Sequence, residues 1–282
     1  MLLKIAVMGD IHGNLPALEA VLEDAERGKP DLMISVGDQV NLGPNPREVL
    51  RLLKEHHVLC LRGNHERYLL RAMQGDPAYA AVNFASLRFF AEMLTEQELS
   101  LPLTYEQGPL LFTHALPEDD RFPVHLPDTA LPLLEKQTGA PKHIICGHGH
   151  DPRSYVVGDR TVHVVGSVGC MDHGLPGIAP YAELLLEENT FCCSQKLAAY
   201  DPARLYPLFV QSGYAEACPI MARVICTQME LNRGFLLEFV SMAEQTARTR
   251  GERQISAAVW QETERRFPWP DGKTLAEFWN RQ

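Results

Sequence analysis

The stretch LKIAVMGDIHGN, residues 3–14, determines the fold class of this chain. It begins with the β-rich apolar run Leu3–Met8 and ends in a polar turn that contains Asp10 and His12. Asn14 then precedes Leu15-Pro16, which is the pattern of a helix N-cap with proline in the first turn. A strand, a polar turn and a helix in this order form the repeating unit of layered α/β folds, so we predict an α/β protein.

The same alternation of strands and helices continues over about two thirds of the chain. Further strands are predicted at Leu32–Val36, Val58–Leu61, Leu110–Thr113, His143–Cys146, Thr161–Val165, Tyr181–Glu187 and Phe191–Lys196. Helices are predicted at Leu15–Arg27 and Pro46–His56, and a third opens at His65. The last three strands are expected to be antiparallel, with residues 188–190 as a hairpin turn.

The pattern changes near Asp201-Pro202, where strand-like runs stop. We therefore predict an α/β domain over residues 1–200 and a helical C-terminal extension over residues 201–282. Helices are expected in the extension at Pro202–Ser212, Glu216–Met229, Arg233–Arg250, Ile255–Arg265 and Thr274–Arg281. Five aromatic residues of the extension are interpreted as packing anchors: Trp260, Phe267, Trp269, Phe278 and Trp279.

Charge and cysteine usage exclude several classes of protein. The formal net charge is −10, whereas general binding to nucleic acid or to an anionic membrane surface favours a cationic surface. We see no run of about 18 uncharged apolar residues and no signal-peptide pattern, so no membrane segment is predicted. The seven cysteines contain no CxxC pair and are odd in number, which is typical of reduced thiols in a cytoplasmic protein.

Polar clusters close or directly follow several of the predicted strands. They are Gly9–Asn14, Gly37-Asp38, Gly63–Glu66, His114 and Gly147–His150. Side chains at the ends of neighbouring strands converge on one rim of a sheet, so these clusters are expected to share a site. Oxygen donors combined with imidazoles suit Mn²⁺, Fe, Zn²⁺ or related divalent ions, and the lack of thiolate argues against a structural zinc site.

The ordered pattern D-x-H, GD, GNH, H and GHxH resembles the calcineurin-like metallophosphoesterase superfamily over about residues 1–200. Gly43–Pro46, Gly63–Glu66 and Gly166–Gly169 are similar to its smaller bacterial and archaeal phosphodiesterase branch. The resemblance implies a four-layer α/β/β/α sandwich for residues 1–200, whereas the helical extension lies outside it.

The resemblance also implies roles for individual residues. One metal would be held by Asp10, His12 and His150, a second by Asn64, His114 and His148, and Asp38 would bridge the two. The cofactors would be two divalent ions, with Mn²⁺ favoured over Fe, Zn²⁺, Ni²⁺ or Mg²⁺. A metal-bridging hydroxide would attack the phosphorus, and His65 would act beside the phosphate as a cation or general acid. Substrate contacts are predicted for Asn64, Arg153 in the loop after the last motif, and His173.

Two departures from the family pattern leave the substrate open. The Ser/Thr protein phosphatase branch has GDxVDRG where this chain reads GDQVNLG, so Asn41 replaces an aspartate that orients the catalytic histidine. Val164-Val165 stands where the phosphodiesterase branch commonly has Asn-Pro. The function implied is hydrolysis of a small phosphate ester or nucleotide by a phosphodiesterase or phosphatase.

The alternatives are a protein-phosphatase-like enzyme, a dinucleoside polyphosphate hydrolase, and a non-catalytic protein-binding scaffold on this fold. The completeness of the ligand set favours an enzyme over the scaffold. The extension is interpreted as a lid or as the interface of a homo-oligomer.

Overall fold

The structure is a computed structural model, and it describes residues 2–116, 120, 141–188 and 190–270. In this part of the chain ten strands form two five-stranded mixed sheets. The first sheet contains β1 (Leu3–Met8), β2 (Leu32–Ser35), β3 (Leu59–Cys60), β9 (Ile178–Glu187) and β10 (Thr190–Ala199), in the order β10-β9-β1-β2-β3. The second contains β4 (Thr104–Gln107), β5 (Leu110–Thr113), β6 (His143–Cys146), β7 (Arg153–Val157) and β8 (Arg160–Val164), in the order β4-β5-β6-β8-β7.

Each sheet has a parallel centre. In the first sheet β1 is parallel to β2, with Val7 opposite Ile34, and β2 is parallel to β3. In the second sheet β5 is parallel to β6, with Phe112 opposite Ile145. Within each sheet, the carboxyl ends of the parallel strands therefore lie at the same edge. The polar clusters that follow these strands are placed side by side at that edge.

The two sheets pack face to face through one apolar cluster. Ile5, Val7 and Ile34 of the first sheet lie in it with Phe112 and Ile145 of the second, and all five side chains are fully buried. The strands carry apolar residues on this inner face because both faces of a parallel centre are covered.

Two helices cover the outer face of the first sheet. They are α1 (Leu15–Arg27) and α2 (Pro46–Glu55). Asn14 caps α1, since its side chain accepts a hydrogen bond from the backbone N–H of Ala17 at 3.1 Å. Leu18 and Val21 of α1 pack with Met8 of β1 in a second apolar cluster.

The remaining described α-helices contribute to one apolar cluster. They are α3 (Asn64–Met73), α4 (Ala85–Ala91), α5 (Glu96–Leu99), α6 (Leu205–Gln211), α7 (Tyr214–Ala217), α8 (Pro219–Leu231), α9 (Phe235–Thr249) and α10 (Ala257–Arg266). In this cluster, Leu69 of α3 and Phe90 of α4 lie together with Tyr214 and Phe239 of the extension. The predicted domain boundary at residue 200 stays a prediction, and the helix predicted at Thr274–Arg281 lies outside the described residues.

The predicted α/β class with a C-terminal helical extension is confirmed by the two sheets and these helices. The prediction missed β4 and β7, which are edge strands of the second sheet and carry exposed polar residues that hide the strand pattern. The expected antiparallel pairing is correct for β9 and β10. For the Thr161–Val165 run it was wrong in part, because β8 is parallel to β6 and antiparallel only to β7. Residue 189 of the predicted hairpin turn lies outside the described residues.

Candidate metal centre

The polar clusters predicted from the sequence meet at one rim shared by the two sheets. They follow β1, β2 and β3 in the first sheet and β5 and β6 in the second. The structure brings the predicted ligands into two groups of converging side chains. Asp10, His12 and His150 form one group, and Asp38, His114 and His148 form the other, each with donor atoms within 4.8 Å.

Asn64 belongs to the second group. Its Oδ1 lies 2.8 Å from His114 Nε2, and the same nitrogen lies 3.2 Å from His148 Nδ1 and 3.3 Å from Asp38 Oδ2. A single imidazole nitrogen carries at most one N–H and cannot satisfy three acceptors at once. A cation placed among these four donors would satisfy all of them.

The first group converges in the same way. Nε2 of His12 lies 3.3 Å from Nε2 of His150, and Asp10 Oδ1 lies 3.7 Å from the latter nitrogen. Two donors that bind one ion at about 2.1 Å and at right angles are about 3 Å apart, so these separations suit a shared cation. The donor chemistry of both groups therefore fits divalent metal ions.

The backbone at the ligands adopts unusual conformations. Asp10, His12, Asp38 and His148 all have positive φ, between 51° and 62°. This left-handed region costs free energy for any residue other than glycine, and such strain concentrates at functional sites. The strained turns direct these side chains from the strand ends into the cluster.

Glycines let the ligand-bearing loops approach one another closely. A Cβ at Gly63 would lie 2.1 Å from Asp38 Oδ1, and one at Gly147 would lie 2.8 Å from Asp10 Oδ2. Neither distance is compatible with a side chain. The glycines next to Asn64 and His148 are thus required by the packing of the carboxylates.

Burial and mutual charge shift the pKa values of the cluster. Burial raises the pKa of Asp10 to about 6, although His114 acts in the opposite direction. Burial and the charge of His65 hold the pKa of His12 well below its usual range. Burial opposes protonation of His114 as well, but the carboxylate of Asp38 raises its pKa to about 10. The buried carboxylates thus favour positive charge at this point, and a bound cation would supply that charge.

His65 stands at the edge of the cluster, against Asp38. Its backbone N–H donates to Asp38 Oδ1 at 2.8 Å, and its ring Nε2 lies 3.9 Å from Asp38 Oδ2. The other ring nitrogen, Nδ1, lies 2.7 Å from Asn41 Nδ2. If Asn41 donates this hydrogen bond, Nδ1 is the acceptor and the proton of neutral His65 is on Nε2, the nitrogen that faces the cluster. Burial lowers the pKa of His65, although the carboxylate of Asp38 acts to raise it.

Two carboxylates near the predicted ligands have no assigned role in the sequence analysis: Glu66, which is buried, and Asp172, whose side chain is 27% exposed. Glu66 accepts hydrogen bonds from the backbone N–H groups of Asp38, Gln39 and Gly63 at 2.7–3.0 Å, so it fixes the loop that carries Asp38. Its signal in the sequence is the position three residues after Gly63, at the start of a helix, where a capping glutamate is common. Asp172 lies with Oδ2 3.4 Å from His150 Nδ1, and no sequence motif marks that pairing.

The cluster opens into a cavity of about 360 Å³. Asp38, Asn64 and His65 line it, as does the predicted substrate residue Arg153. The expected loop position of Arg153 was wrong, because it is the first residue of β7. The N–H of Asn64 side chain and the Arg153 guanidinium are both hydrogen-bond donors suited to phosphate oxygens.

The predicted substrate residue His173 lies outside this cavity. Its side chain is 84% exposed, and Nδ1 lies 2.7 Å from Asp151 Oδ2. It borders a neighbouring open cleft of about 810 Å³ together with Arg233 and Glu238. A substrate contact at His173 stays a prediction and would need a ligand that extends from the cavity into the cleft.

Other potentially reactive side chains, Cys170, His143 and His163, are buried or hydrogen-bonded elsewhere in the fold. Cys170 is buried, and this burial raises the pKa of its thiol well above its usual range, which makes it a poor nucleophile. His143 and His163 both contact the hydroxyl of Thr161 in the second sheet.

Comparison with known proteins places these features in a family. The model of the calcineurin-like phosphoesterase family matches residues 3–185. The chain is 36% identical over 179 residues to phosphodiesterase YfcE of Escherichia coli, a match that covers 57% of this chain and 90% of that protein. It is also 30% identical over 159 residues to an uncharacterized protein of Methanocaldococcus jannaschii. That match covers 52% of this chain and 63% of the relative, so the chain spans less than two thirds of the relative's length.

The fold comparison agrees with the family match. The structure of a metallophosphoesterase from Sphaerobacter thermophilus superposes with a TM-score of 0.63 at 22% identity, covering 82% of this chain and all of the other. Among the helices that the structure describes, none has the length and apolar character needed to cross a membrane. The matched residues 3–185 include every predicted metal ligand, and the chain belongs to the calcineurin-like phosphoesterase family.

Proposed function

We propose that this protein is a binuclear-metal-dependent phosphoesterase that hydrolyses a small phosphate ester or nucleotide. The observation that carries the proposal is the pair of converging donor groups, Asp10/His12/His150 and Asp38/His114/His148. Asp38 also lies within 4.8 Å of His12 and His65 in a third group, which suits it to a shared position between two ions. Phosphodiesterase YfcE, the similar protein of E. coli, supports the reaction class.

Two divalent cations, with Mn²⁺ favoured, would act as Lewis acids that lower the pKa of bound water and neutralise phosphate charge. The chain itself would position the substrate. Asn64 and Arg153, which both line the cavity, would donate hydrogen bonds to the phosphate oxygens. In its protonated, imidazolium form, His65 has Nε2–H toward the cluster and would donate that proton to the leaving oxygen, which returns the ring to neutral imidazole.

A small substrate is favoured by the shape of the site. The cavity of about 360 Å³ is bordered by Leu236 and Leu237 of the helical extension, which limit its width. The net charge of −10 disfavours a polyanionic polymer. Asn41 in place of an aspartate beside His65 favours a diesterase over the protein-phosphatase-like alternative.

The seven cysteines are all free thiols, which supports a cytoplasmic location.

The test begins with metal content and hydrolysis of a chromogenic phosphodiester and phosphomonoester by the Mn²⁺-loaded protein. We expect about two ions per chain. Asp38→Ala should remove bound metal and lower activity by about three orders of magnitude, since several kcal/mol of charge stabilisation are lost. His65→Ala should lower activity by about 10²–10⁴-fold while the metal content stays unchanged.

Matched controls separate these effects from general damage. Asp159→Ala removes an exposed aspartate in the β7–β8 turn, and His57→Asn replaces an exposed histidine of positive φ by a residue that tolerates this conformation. Both should retain full activity. A loaded wild-type protein that is inert toward both substrates, or an Asp38→Ala variant with full activity, would refute the proposal.

A further inference from the structure

A buried glutamine of the helical extension reaches the candidate metal centre. Gln228 lies in the last turn of α8 and is 2% exposed. Its side-chain Nε2 donates to Asp172 Oδ1 at 3.1 Å, and its Oε1 accepts from the backbone N–H of Leu236 at 2.9 Å. Both ends of the amide are therefore engaged, one toward the metal centre and the other toward the start of α9.

Asp172 continues this connection to a predicted metal ligand. Its Oδ2 lies 3.4 Å from His150 Nδ1, while Nε2 of the same ring faces Asp10 and His12. His150 Nδ1 is buried and forms no hydrogen bond of ordinary geometry within the described residues, so Asp172 supplies the nearest charge to it. A metal-bound histidine commonly directs its second ring nitrogen to a carboxylate, which fixes the ring and its tautomer.

The backbone around Asp172 is tied to the extension at several further points. The N–H of Gly234 donates to the carbonyl of Asp172 at 2.9 Å, and the N–H of Gly174 donates to the carbonyl of Asn232 at 2.8 Å. The Asn232 side chain donates to the carbonyls of Leu175 and Ile178 at 2.7 and 2.8 Å. Gln228 thus acts on a loop that is already held in place, and its own contribution is the orientation of the Asp172 carboxylate.

We propose that Gln228 is a positioning residue that couples the helical extension to His150 through Asp172. It holds the carboxylate of Asp172 so that His150 presents Nε2 to the cation of the Asp10/His12 group. Through Leu236 it also sets the start of α9, whose Leu236 and Leu237 border the cavity. This inference rests on the proposed function only in requiring that the cluster binds metal.

The experiment titrates metal-free protein with Mn²⁺ by calorimetry and resolves the two sites. Gln228→Met keeps the length of the side chain and removes both hydrogen bonds. Gln228→Glu keeps the acceptor for Leu236 and places a second carboxylate against Asp172. We expect each variant to weaken one Mn²⁺ site by about 10–100-fold and to leave the other within about threefold, as for loss of other outer-shell contacts.

Thr227→Val is the matched control. Thr227 is the neighbouring residue of α8, is also 2% exposed, and donates to the carbonyl of Arg223 inside its own helix. Its replacement should change the stability of the helix without changing either Mn²⁺ affinity. Asp172→Ala should reproduce the selective loss, and Gln228→Met combined with Asp172→Ala should bind no more weakly than Asp172→Ala alone.

Each other outcome overturns the inference. Equal weakening of both sites, or lowered stability with both affinities intact, would make Gln228 a packing residue. Additive losses in the double variant would show that Gln228 does not act through Asp172. Two normal wild-type sites with any of these results would refute only the role of Gln228. Wild-type protein that binds no Mn²⁺ would overturn the binuclear centre, and this inference with it.

Discussion

Replacing Gly63 by alanine should damage the metal centre through a collision of a single methyl group. The added Cβ would lie 2.1 Å from Asp38 Oδ1 and 2.6 Å from the backbone nitrogen of Asp38. Ordinary contact begins near 3.4 Å, so the carboxylate would have to move by about 1.3 Å. Gly63 itself has φ −101°, which alanine adopts without strain, so the effect comes from the contact alone.

The size of the effect follows from what holds Asp38 in place. Its backbone N–H donates to Glu66 Oε2 at 3.0 Å, and its Oδ1 accepts from the N–H of His65 at 2.8 Å. Displacing Asp38 disturbs both hydrogen bonds to charged groups, each worth about 1.5–3 kcal/mol. Overpacking adds about 1–3 kcal/mol. We therefore expect Gly63→Ala to lower the free energy of unfolding by about 4–9 kcal/mol.

Urea unfolding of the metal-free protein and metal analysis after Mn²⁺ loading measure the two consequences. Bound Mn²⁺ should fall from two ions per chain to one or none. Gly108→Ala is the control, because Gly108 has φ +57° and open space where a Cβ would lie, so only about 1 kcal/mol of backbone strain is expected. If Gly63→Ala loses no more stability than Gly108→Ala and binds the full complement of metal, the packing argument is wrong.

Three further predictions concern His65, the second sheet and the helical extension. Asn41→Asp places a carboxylate against His65 Nδ1 and should raise the pKa of that ring. Activity should then extend about 1–2 pH units further toward alkaline pH. An unshifted pH–rate profile would contradict this prediction. Burial, together with the charge of His143 in β6, lowers the pKa of His163 from 6.5 to about 4. The unfolded state therefore binds more protons than the folded state, and the free energy of unfolding falls as the pH drops below 6.5. After allowance for partial exposure, the wild type should lose about 1 kcal/mol more than His163→Gln between pH 7 and pH 5 in urea unfolding, and equal losses would exclude this role. Phe239→Ala should lower the free energy of unfolding by about 3–5 kcal/mol because the ring is fully buried, whereas Val156→Ala, at a 72% exposed site, should change it by less than about 0.5 kcal/mol.

The sequence was most informative where one local pattern determines the structure. Leu3–Met8 and Leu15–Arg27 are found with the predicted bounds, since an apolar strand and a capped amphipathic helix are encoded within their own residues. The position of both residues after strand ends predicted a shared site for Asp10 and His148. The backbone N–H of His148 does donate to Asp10 Oδ2 at 3.0 Å, although β1 and β6 lie in different sheets, which the sequence did not indicate.

Features that depend on partners distant in the chain could not be predicted. β7 is a five-residue edge strand in which Tyr155 lies opposite Val162, and its exposed residues Arg153, Ser154 and Val156 do not give the regular alternation that marks a half-buried strand. Asp172 lies beside His150 and accepts a hydrogen bond from Gln228, 56 residues away, and no sequence motif marks either contact. The helices of the extension could thus be predicted from the sequence, whereas their contact with the candidate metal centre is seen only in the folded chain.

The division of the predicted ligands between the two sheets has a consequence for folding. Asp10, His12, Asp38 and Asn64 follow strands of the first sheet, whereas His114, His148 and His150 follow strands of the second. Each donor group draws on both, so neither sheet alone presents a complete site. An ion in either position would cross-link the two halves of the sandwich and slow their separation, since metal binds only the docked state. Metal release and unfolding should then share one rate-limiting event, in which the sheets part along this rim.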